Sequence, residues 1–257
     1  MSKKALDENV IREFLALQKR SNHTDFDKDV VTIVSGGKRI SIPRLFLEYR
    51  KLFQKASSHH TMQRLYENIC DTIPKRYKDI STIQYGKEKI ADVMIRRDFF
   101  KKHIKTWKVL DIGCDDGYFT VELAKRKGMS VTWIDMIQKK IISAKKYAEE
   151  NKVPVTFIVG FAEELPFKKN TFDTTILSHI LEHVHTPEKA IDEAYRVTKD
   201  GWRIIAIVPI SIGREPSHIR YITKCQLIRL LGKHGHIIGE YRSEWRWVGY
   251  IIKVMKR

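Results

Sequence analysis

A short glycine-containing segment directly after an apolar strand is the first feature of this sequence that could do chemistry. It runs Asp111-Ile112-Gly113-Cys114-Asp115-Asp116-Gly117 and precedes a predicted helix. Glycines in such a turn let a ligand approach the backbone closely, and the following helix start presents N–H groups. Asp135 ends the next predicted strand, about 20 residues further on, where a carboxylate can accept two hydrogen bonds from a ribose diol. The two features together predict a nucleotide-like ligand, whereas each alone also fits a tight turn or a helix cap.

A second candidate is the segment His179-Ile180-Leu181-Glu182-His183, which follows the fourth predicted strand. On a helix, residues three and four apart share a face, so His179 would lie beside both Glu182 and His183. Imidazoles and a carboxylate on one face can move protons or bind a divalent metal. Three interpretations stay open: a general base at His183 or His218, a metal site that also uses His218, or a pair that caps and braces the loop.

The elements that must position these groups form a regular alternation from residue 108 onward. Apolar strands alternate with helical segments, which predicts an α/β fold with a parallel sheet and helices on both faces. The glycine turn follows the first strand, Asp135 ends the second, and the histidine segment follows the fourth. Strands are predicted at 108–112, 130–134, 155–159, 173–177, 203–208, 236–242 and 247–255, and helices at 118–127, 137–150, 186–198 and 223–233.

Residues 1–84 lack this alternation and predict a mostly helical N-terminal extension. Helical spacing of apolar residues and one alternating, glycine-interrupted stretch carry the prediction. Helices are expected at 8–20, from Pro43 to about residue 53, at 60–72 and at 86–104, with a hairpin at 30–42. We therefore divide the chain into a basic accessory region, 1–84, and a second domain, 85–257.

The segments after strands three to five complete a characteristic order. Gly160 to Phe167 follow the third strand, and Pro187 to Gly201 lead into the fifth, which ends in Val208-Pro209. With the glycine turn and Asp135, residues 85–257 resemble the class I S-adenosylmethionine-dependent methyltransferases. The similarity is greatest to the small-molecule group that includes the ubiquinone-biosynthesis O-methyltransferases. The resemblance implies a Rossmann-like seven-stranded methyltransferase sheet and S-adenosyl-L-methionine (SAM) as cofactor.

The resemblance also implies a role for individual residues. The glycine turn would line the methionine portion of SAM, Asp135 would hold the ribose hydroxyls, and the helix over residues 85–97 would form a lid. The implied cofactor-binding residues are Asp111, Gly113, Cys114, Gly117, Asp135, Met136, Ala162, Glu163 and Ser178. The candidate catalytic residues are His183, His218 and His179, and we assign no metal.

Two positions in the cofactor segments depart from the family pattern, and His179 differs from the metal-binding relatives. Asp115 stands where the turn usually has its central glycine, and Phe161 stands where an aspartate usually precedes Ala162. Stacking or backbone contacts could replace the adenine contact of that aspartate. Relatives that bind a divalent ion carry Glu-x-x-Glu-His, and the first of those glutamates is His179 here. Asp115 and Phe161 leave open a noncatalytic scaffold with this fold as an alternative.

The distribution of charge bears on the acceptor. The formal net charge is +17, and residues 1–108 hold 24 basic and 13 acidic side chains, an excess of +11. Because basic surfaces attract phosphate-rich partners, an RNA methyltransferase that uses the basic N-terminal region is one alternative. Our main prediction is methyl transfer to a small-molecule acceptor, with an anionic acceptor as its sharper form.

The composition predicts the compartment. Cys70, Cys114 and Cys225 are too few and too scattered for a disulfide framework or a CxxC zinc site, which fits a reducing cytoplasm. The N-terminal residues lack the apolar segment of a secretory signal. No window approaches about 18 uninterrupted apolar residues, so we predict a cytoplasmic enzyme without a membrane span.

Overall fold

A computed structural model gives the positions of most of the chain. It describes residues 3–21, 30–35, 38–72, 86–115, 117–209, 217–242 and 247–256. Tyr85, the predicted start of the lid helix, lies outside the described residues. The chain forms two compact units: Met1–Ser81 with Ser211–Tyr221, and Thr82–Ile210 with Ile222–Arg257.

The first unit packs helices around a cluster of aromatic side chains. Its elements are α1 (Lys3–Ser21), β1 (Val30–Ser35), β2 (Lys38–Pro43), α2 (Arg44–Lys55) and α3 (His59–Thr72). Strands β1 and β2 form the antiparallel hairpin that the sequence predicts. The ring centroids of Phe14 and Tyr49 lie 5.0 Å apart, and those of Phe53 and Tyr66 lie 4.7 Å apart. Such tilted aromatic pairs add to the free energy gained by burial, and here they join the three helices.

A segment far along the chain completes the first unit. The side-chain amide of Gln54 donates to the carbonyl oxygen of Ile219 at 2.7 Å, and the Tyr66 hydroxyl donates to that of Ser217 at 3.1 Å. Ile219 is also buried. We expected residues 85–257 to form one continuous domain, and local periodicity gave no sign of this long-range assignment.

The second unit is a seven-stranded sheet with helices. Its helices are α4 (Gly86–His103), α5 (Val121–Ala124), α6 (Gln138–Glu150), α7 (Pro187–Val197) and α8 (Lys224–Gly232). Its strands are β3 (Lys108–Ile112), β4 (Ser130–Asp135), β5 (Val155–Val159), β6 (Phe172–Ser178), β7 (Thr198–Pro209), β8 (Gly235–Arg242) and β9 (Trp247–Val254).

The order of strands in this sheet places the candidate residues at one edge. The order is β5-β4-β3-β6-β7-β9-β8, and the five strands β3 to β7 are parallel. Strand β9 runs antiparallel between β7 and β8. The direction of strand addition reverses between β3 and β6, and ligands of open α/β sheets bind at the carboxyl ends of the strands beside such a reversal. The predicted Rossmann-like fold is confirmed.

Buried apolar residues cover both faces of the sheet. One core cluster includes residues of α7 and α8, such as Ile191 and Leu227. The other includes residues of α4 and α6, such as Phe100 and Ala144. Alternate residues of each strand point to opposite faces, as in β4, where Trp133 belongs to one cluster and Ile134 to the other.

Two elements differ in extent from the sequence expectation. Helix α5 covers only Val121–Ala124, where 118–127 was expected, because the flanking residues form tight turns. The N–H of Thr120 bonds to the Gly117 carbonyl and that of Arg126 to the Leu123 carbonyl, which are bonds over three residues rather than four. Strand β7 starts at Thr198 instead of residue 203, and its pairing with β6 has a register irregularity between Thr198 and Arg203. No described helix is both long and apolar enough to cross a bilayer.

Candidate functional site

The glycine turn after β3 has the conformation that its glycines predict. Gly113 and Gly117 have φ angles of +72° and +74°, in the left-handed region that favours glycine. The N–H groups of Gly113 and Cys114 donate to the carbonyl oxygen of Ile134 at 2.8 and 3.2 Å, which ties the turn to β4. A Cβ atom at Gly117 would lie 2.2 Å from the Trp133 ring. The turn therefore packs so closely on the sheet that only glycine fits at this position.

Asp115 stands at the position of the family's central glycine and adopts a left-handed backbone. Its φ angle is +52°, a conformation that aspartate tolerates better than most residues. Its N–H donates to Asp135 Oδ2 at 3.1 Å, and its carboxylate pairs with the Lys140 ammonium group. The departure from the family pattern is thus accommodated by the local bonding.

The Asp135 carboxylate organises the corner at the end of β4. Its Oδ1 accepts the N–H of Ile137 at 2.9 Å, and its Oδ2 accepts that of Asp115. Burial raises the pKa of Asp135 to about 6, although these two hydrogen bonds act in the opposite direction. Each carboxylate oxygen has a second lone pair, so the group can still accept hydroxyls of a ligand.

A second acid, Asp111, lies at the end of the neighbouring strand β3. It is buried, and its Oδ2 accepts the Thr120 hydroxyl at 2.8 Å. Burial raises its pKa to about 7, and the charge of Asp135 contributes to the rise. Burial and these acids also keep the pKa of the Cys114 thiol well above its usual value, so the thiol stays protonated. A cationic ligand at this edge would offset the cost of ionising both carboxylates.

The loop after β5 starts beside Asp135. The N–H of Gly160 donates to the backbone carbonyl of Asp135 at 3.0 Å. Ala162 and Glu163 follow and are both buried. The structure thus brings Asp111, Asp135 and the start of this loop together at the carboxyl ends of β3, β4 and β5, as the sequence predicts.

An ion pair on α7 holds the far end of the same loop. Glu193 Oε2 accepts the N–H of Leu165 at 2.7 Å, and Arg196 donates to the carbonyl oxygens of Leu165 and Phe167 at 2.9 and 2.6 Å. The Arg196 guanidinium also pairs with both oxygens of Glu193, and these bonds lower the pKa of Glu193. We did not single out this pair from the sequence, although its three-residue spacing on a predicted helix was a usable signal.

Substituting Arg196 by lysine should loosen this loop, because lysine cannot reproduce the planar fork that binds two carbonyls and a carboxylate. We expect a loss of about 1–3 kcal/mol in unfolding free energy and faster amide exchange at Leu165. Denaturant unfolding and hydrogen exchange would measure both. The matched control is Arg242→Lys, which alters the exposed Glu240–Arg242 pair on β8. Equal losses in the two variants would contradict the prediction.

The end of β6 presents an unusual backbone. The Ser178 hydroxyl oxygen is buried and has no hydrogen-bond partner among the described residues. His179 has a φ angle of +59°, in the left-handed region that residues other than glycine seldom adopt. The N–H of His179 donates to the Ile207 carbonyl at 2.9 Å, so β7 helps to hold this conformation. Strain of this kind is concentrated at functional sites, which supports a role for residues 178 and 179.

Glu182 and Trp247 fix the His179 ring, and Arg96 packs beside Trp247. His179 Nδ1 and Glu182 Oε1 lie 3.1 Å apart, and the imidazole lies edge to face on Trp247, with 4.2 Å between ring centroids. The Arg96 guanidinium lies 4.2 Å from the Phe119 ring centroid and 5.3 Å from that of Trp247. Sequence reasoning did not find Arg96 or Trp247 as neighbours of the site.

Complete burial raises the pKa of Glu182 to about 8, with Arg96 acting in the opposite direction. The folded protein then holds a proton that the unfolded chain releases above its ordinary pKa near 4.5, so stability falls as pH rises between these values. Glu182→Gln stays neutral throughout. Relative to wild type, its unfolding free energy should therefore rise by about 4 kcal/mol between about pH 5 and pH 8.

Urea unfolding of both proteins at the two pH values would measure this change. Glu193→Gln is the control: because the pKa of Glu193 is lowered, its ionised form already stabilises the fold at pH 5, so the difference between this variant and wild type should hardly vary between the two pH values. A difference between Glu182→Gln and wild type that does not vary with pH would contradict a protonated Glu182.

The structure also describes three further candidates, His183, Met136 and His218. The segment that carries Glu182 and His183 forms turns and not the helix considered for it; His183 donates its N–H to the Ile180 carbonyl at 2.9 Å. Met136 is half-buried directly after Asp135. His218 belongs to the first unit and is half-buried there. Because residues 181–183 form turns, the contact between His179 and Glu182 arises from the left-handed backbone at His179 and the turns that follow it.

Comparison with known proteins shows that the segment carrying Asp111 and Asp135 matches a known domain. Residues 110–206 match the profile of a family described as "Methyltransferase domain". A ubiquinone biosynthesis O-methyltransferase of Pelagibacter ubique is 37% identical over 118 residues, 46% of this chain and 48% of that protein. The corresponding enzyme of Rickettsia akari is 32% identical over 110 residues, 42% of this chain and 43% of that protein. The chain thus matches less than half the length of these curated relatives.

Solved structures share the fold of the second unit. A Pyrococcus horikoshii protein matches with a TM-score of 0.57 and 20% identity, over 65% of this chain and 92% of its own. A SAM-dependent methyltransferase of Aquifex aeolicus matches with a TM-score of 0.55 and 16% identity, over 62% of this chain and 89% of its own. At such identities the likeness concerns the fold alone.

Proposed function

We propose that this chain is a class I SAM-dependent methyltransferase that transfers a methyl group to a small-molecule acceptor; the match of residues 110–206 to a methyltransferase domain supports this. An anionic acceptor is the form that we favour, since the excess of basic residues in the N-terminal part would attract it. The observation that carries the proposal is the meeting of Asp111, Asp135 and the glycine turn at the carboxyl ends of adjacent strands.

The residues present at this edge fit SAM. Asp135 has lone pairs for ribose hydroxyls, and the acids Asp111 and Asp135 suit a ligand with a positive charge. The buried Ser178 hydroxyl, without a described protein partner, is a polar group that a ligand could satisfy. Gly113, Cys114 and Gly117 would line the methionine portion, and Met136, Ala162 and Glu163 the adenine. SAM, when bound, supplies a methyl group that is already electrophilic.

The protein's own contribution is then alignment and proton removal. Holding the acceptor in line with the methyl group is the main requirement, because proximity alone can account for a large part of a rate enhancement. A histidine within reach of the acceptor would remove its proton. We propose His179, His183 and His218 as candidates. Of the two candidates in the second unit, His179 and His183, His179 is the more firmly oriented. Glu182 and Trp247 contact its ring, and the Ile207 carbonyl accepts its backbone N–H.

RNA methylation through the basic N-terminal region is the second candidate function. The observation that favours it is a cavity of about 310 Å³ along α2, lined by Arg44, Arg50 and Lys51 together with Leu47, Glu48 and Gln54. Guanidinium and ammonium groups on one helix face suit a phosphate, whether it belongs to RNA or to a small anionic acceptor.

The experiment that tests the proposal follows the methyl group. The full chain is incubated with SAM labelled in its methyl group and with separated RNA, protein, lipid and metabolite fractions of a cell extract. Label in the metabolite fraction is the expected result, and label in RNA would replace it by the second candidate. SAM binding without label in any fraction would instead favour a noncatalytic scaffold, and absence of SAM binding would overturn both functions.

A further inference from the structure

The edge of the sheet opposite the SAM-binding residues carries a concentrated positive charge. Residues 101–108 read Lys-Lys-His-Ile-Lys-Thr-Trp-Lys and join α4 to β3 without any acidic residue. Because β3, β4, β6 and β7 are parallel, their amino ends meet at this edge. A strand of five residues separates it from the glycine turn by roughly 15 Å. We name the amino-edge surface by its members Lys102, Lys105, Trp107, Lys108, Lys127 and Arg203.

The lysines of this surface are exposed, while the arginines at its base serve the backbone. Lys102, Lys105, Lys108 and Lys127 are all exposed. Arg126 donates to the carbonyl oxygens of Lys101 and Ile104, both at 2.6 Å, and Arg203 donates to that of His103 at 2.8 Å. These bonds satisfy carbonyl groups at the end of α4. The arginines thus hold the backbone of the surface and the four lysines are exposed, with the Lys108 ammonium group 5.5 Å from the Phe172 ring centroid.

The cations lie close enough together to act on one another. Burial and the positive charges of Lys102, Arg203 and Lys105 lower the pKa of His103. Asp173, the acid next to this segment, is buried and engaged: Oδ2 accepts the N–H groups of Trp107 and Lys108, and Oδ1 pairs with Lys199. The charge of Asp173 is therefore directed at the backbone and at Lys199.

Trp107 stands in the middle of these cations with its indole in solvent. The residue is 65% exposed, although tryptophan is usually well buried. Its backbone is held at both ends, by the bond to Asp173 and by the N–H of Ser130, which donates to its carbonyl at 2.6 Å. A Cβ atom at Gly128 would lie 2.8 Å from the indole, so the ring rests on this glycine. The ring is thus pre-oriented, and most of its surface is available for a partner.

We propose that the amino-edge surface binds single-stranded nucleic acid, with a base stacked on Trp107 and backbone phosphates on the surrounding lysines. Proteins that bind single strands combine a positive groove with an aromatic platform in this way. A lipid surface fits less well, because Trp107 is the one large apolar side chain exposed in segment 101–108 and membrane binding grows with buried apolar area. The surface would recruit the protein to a polynucleotide, independently of the acceptor at the opposite edge.

Fluorescence anisotropy of the full chain with a labelled short oligouridylate tests the proposal. Stacking on an aromatic side chain contributes enough that Trp107→Ala should weaken binding roughly 5- to 100-fold, and Trp107→Phe should restore part of it. The double variant Lys102→Gln/Lys105→Gln should make the slope of log K against log salt concentration shallower by about 1.4. This is the value of about 1.4 for two phosphate contacts on a single strand. The matched control is Lys145→Gln with Lys146→Gln, which neutralises two exposed lysines on α6.

Three results would overturn the proposal. The first is that Trp107→Ala and the Lys102/Lys105 variant change oligouridylate binding no more than the α6 control does. The second is that Trp107→Ala abolishes binding to vesicles of phosphatidylcholine and phosphatidylserine but leaves oligouridylate binding intact. The third is oligouridylate binding to wild type that does not weaken as the salt concentration rises, because lysine–phosphate contacts require such a dependence. Unchanged SAM affinity in all variants is expected, so failure of this proposal is distinguishable from failure of the methyltransferase function.

Discussion

Replacing Asp135 by alanine is expected to weaken SAM binding on the order of 100-fold. A hydrogen bond to a charged group contributes about 1.5–3 kcal/mol, and tenfold in affinity corresponds to about 1.4 kcal/mol, so the loss of two ribose contacts suffices. The substitution also removes the acceptor for the N–H groups of Ile137 and Asp115, which leaves the glycine turn less fixed. Isothermal titration calorimetry with SAM measures the effect directly.

Asp135→Asn separates the two contributions. Asparagine keeps the shape of the side chain and one acceptor oxygen, so we expect an affinity between those of wild type and Asp135→Ala. Asp200→Ala is the matched control, because Asp200 also accepts a backbone N–H, that of Lys256 at 2.9 Å, but lies on the surface. A SAM affinity of Asp135→Ala within threefold of wild type would contradict the assignment of the Asp135 carboxylate to the ribose hydroxyls.

Gly117→Ala is expected to destabilise the second unit by more than about 3 kcal/mol. Two costs add: the left-handed backbone at φ +74° disfavours a side chain, and the new methyl group would overlap the buried Trp133 ring. Gly201→Ala is the matched control, since Gly201 has φ +75° but no heavy atom within 4 Å of its added Cβ. It should lose only about 1 kcal/mol, the cost of the backbone alone.

Denaturant unfolding of the two variants measures the difference. In a double-mutant cycle, Gly117→Ala should cost less in a Trp133→Leu background than in wild type, because the smaller side chain removes the overlap. If Gly117→Ala and Gly201→Ala are equally destabilised, the close approach of Trp133 to the turn carries no energetic weight.

The sequence allowed the strands of the second unit and the residues at their ends to be predicted, because strand periodicity and glycine turns are local signals. The parallel arrangement then brings Asp111 and Asp135 to one edge. Contacts between residues far apart in the chain leave no such signal. The Arg196 bonds to the loop after β5, and the Trp247 contact with His179, depend on packing between elements.

The histidine segment shows the same limit at short range. Helical spacing predicted that His179 and Glu182 would meet, and they do, but through a left-handed residue and consecutive turns. A helix and the observed turns both bring His179 next to Glu182, but they differ in backbone conformation and therefore in the path of the chain to His183. Spacing alone therefore predicts a contact better than it predicts the conformation that makes it.

The first unit is finished late in synthesis. Its core helices end at residue 72, yet Gln54 and Tyr66 bond to residues 219 and 217, which leave the ribosome only after β3 to β7. A nascent chain that stops before residue 217 therefore exposes the surface that Ile219 covers. The order of translation and the order of assembly differ, so cutting the gene at residue 84 would yield two fragments, one of which lacks part of its own interior.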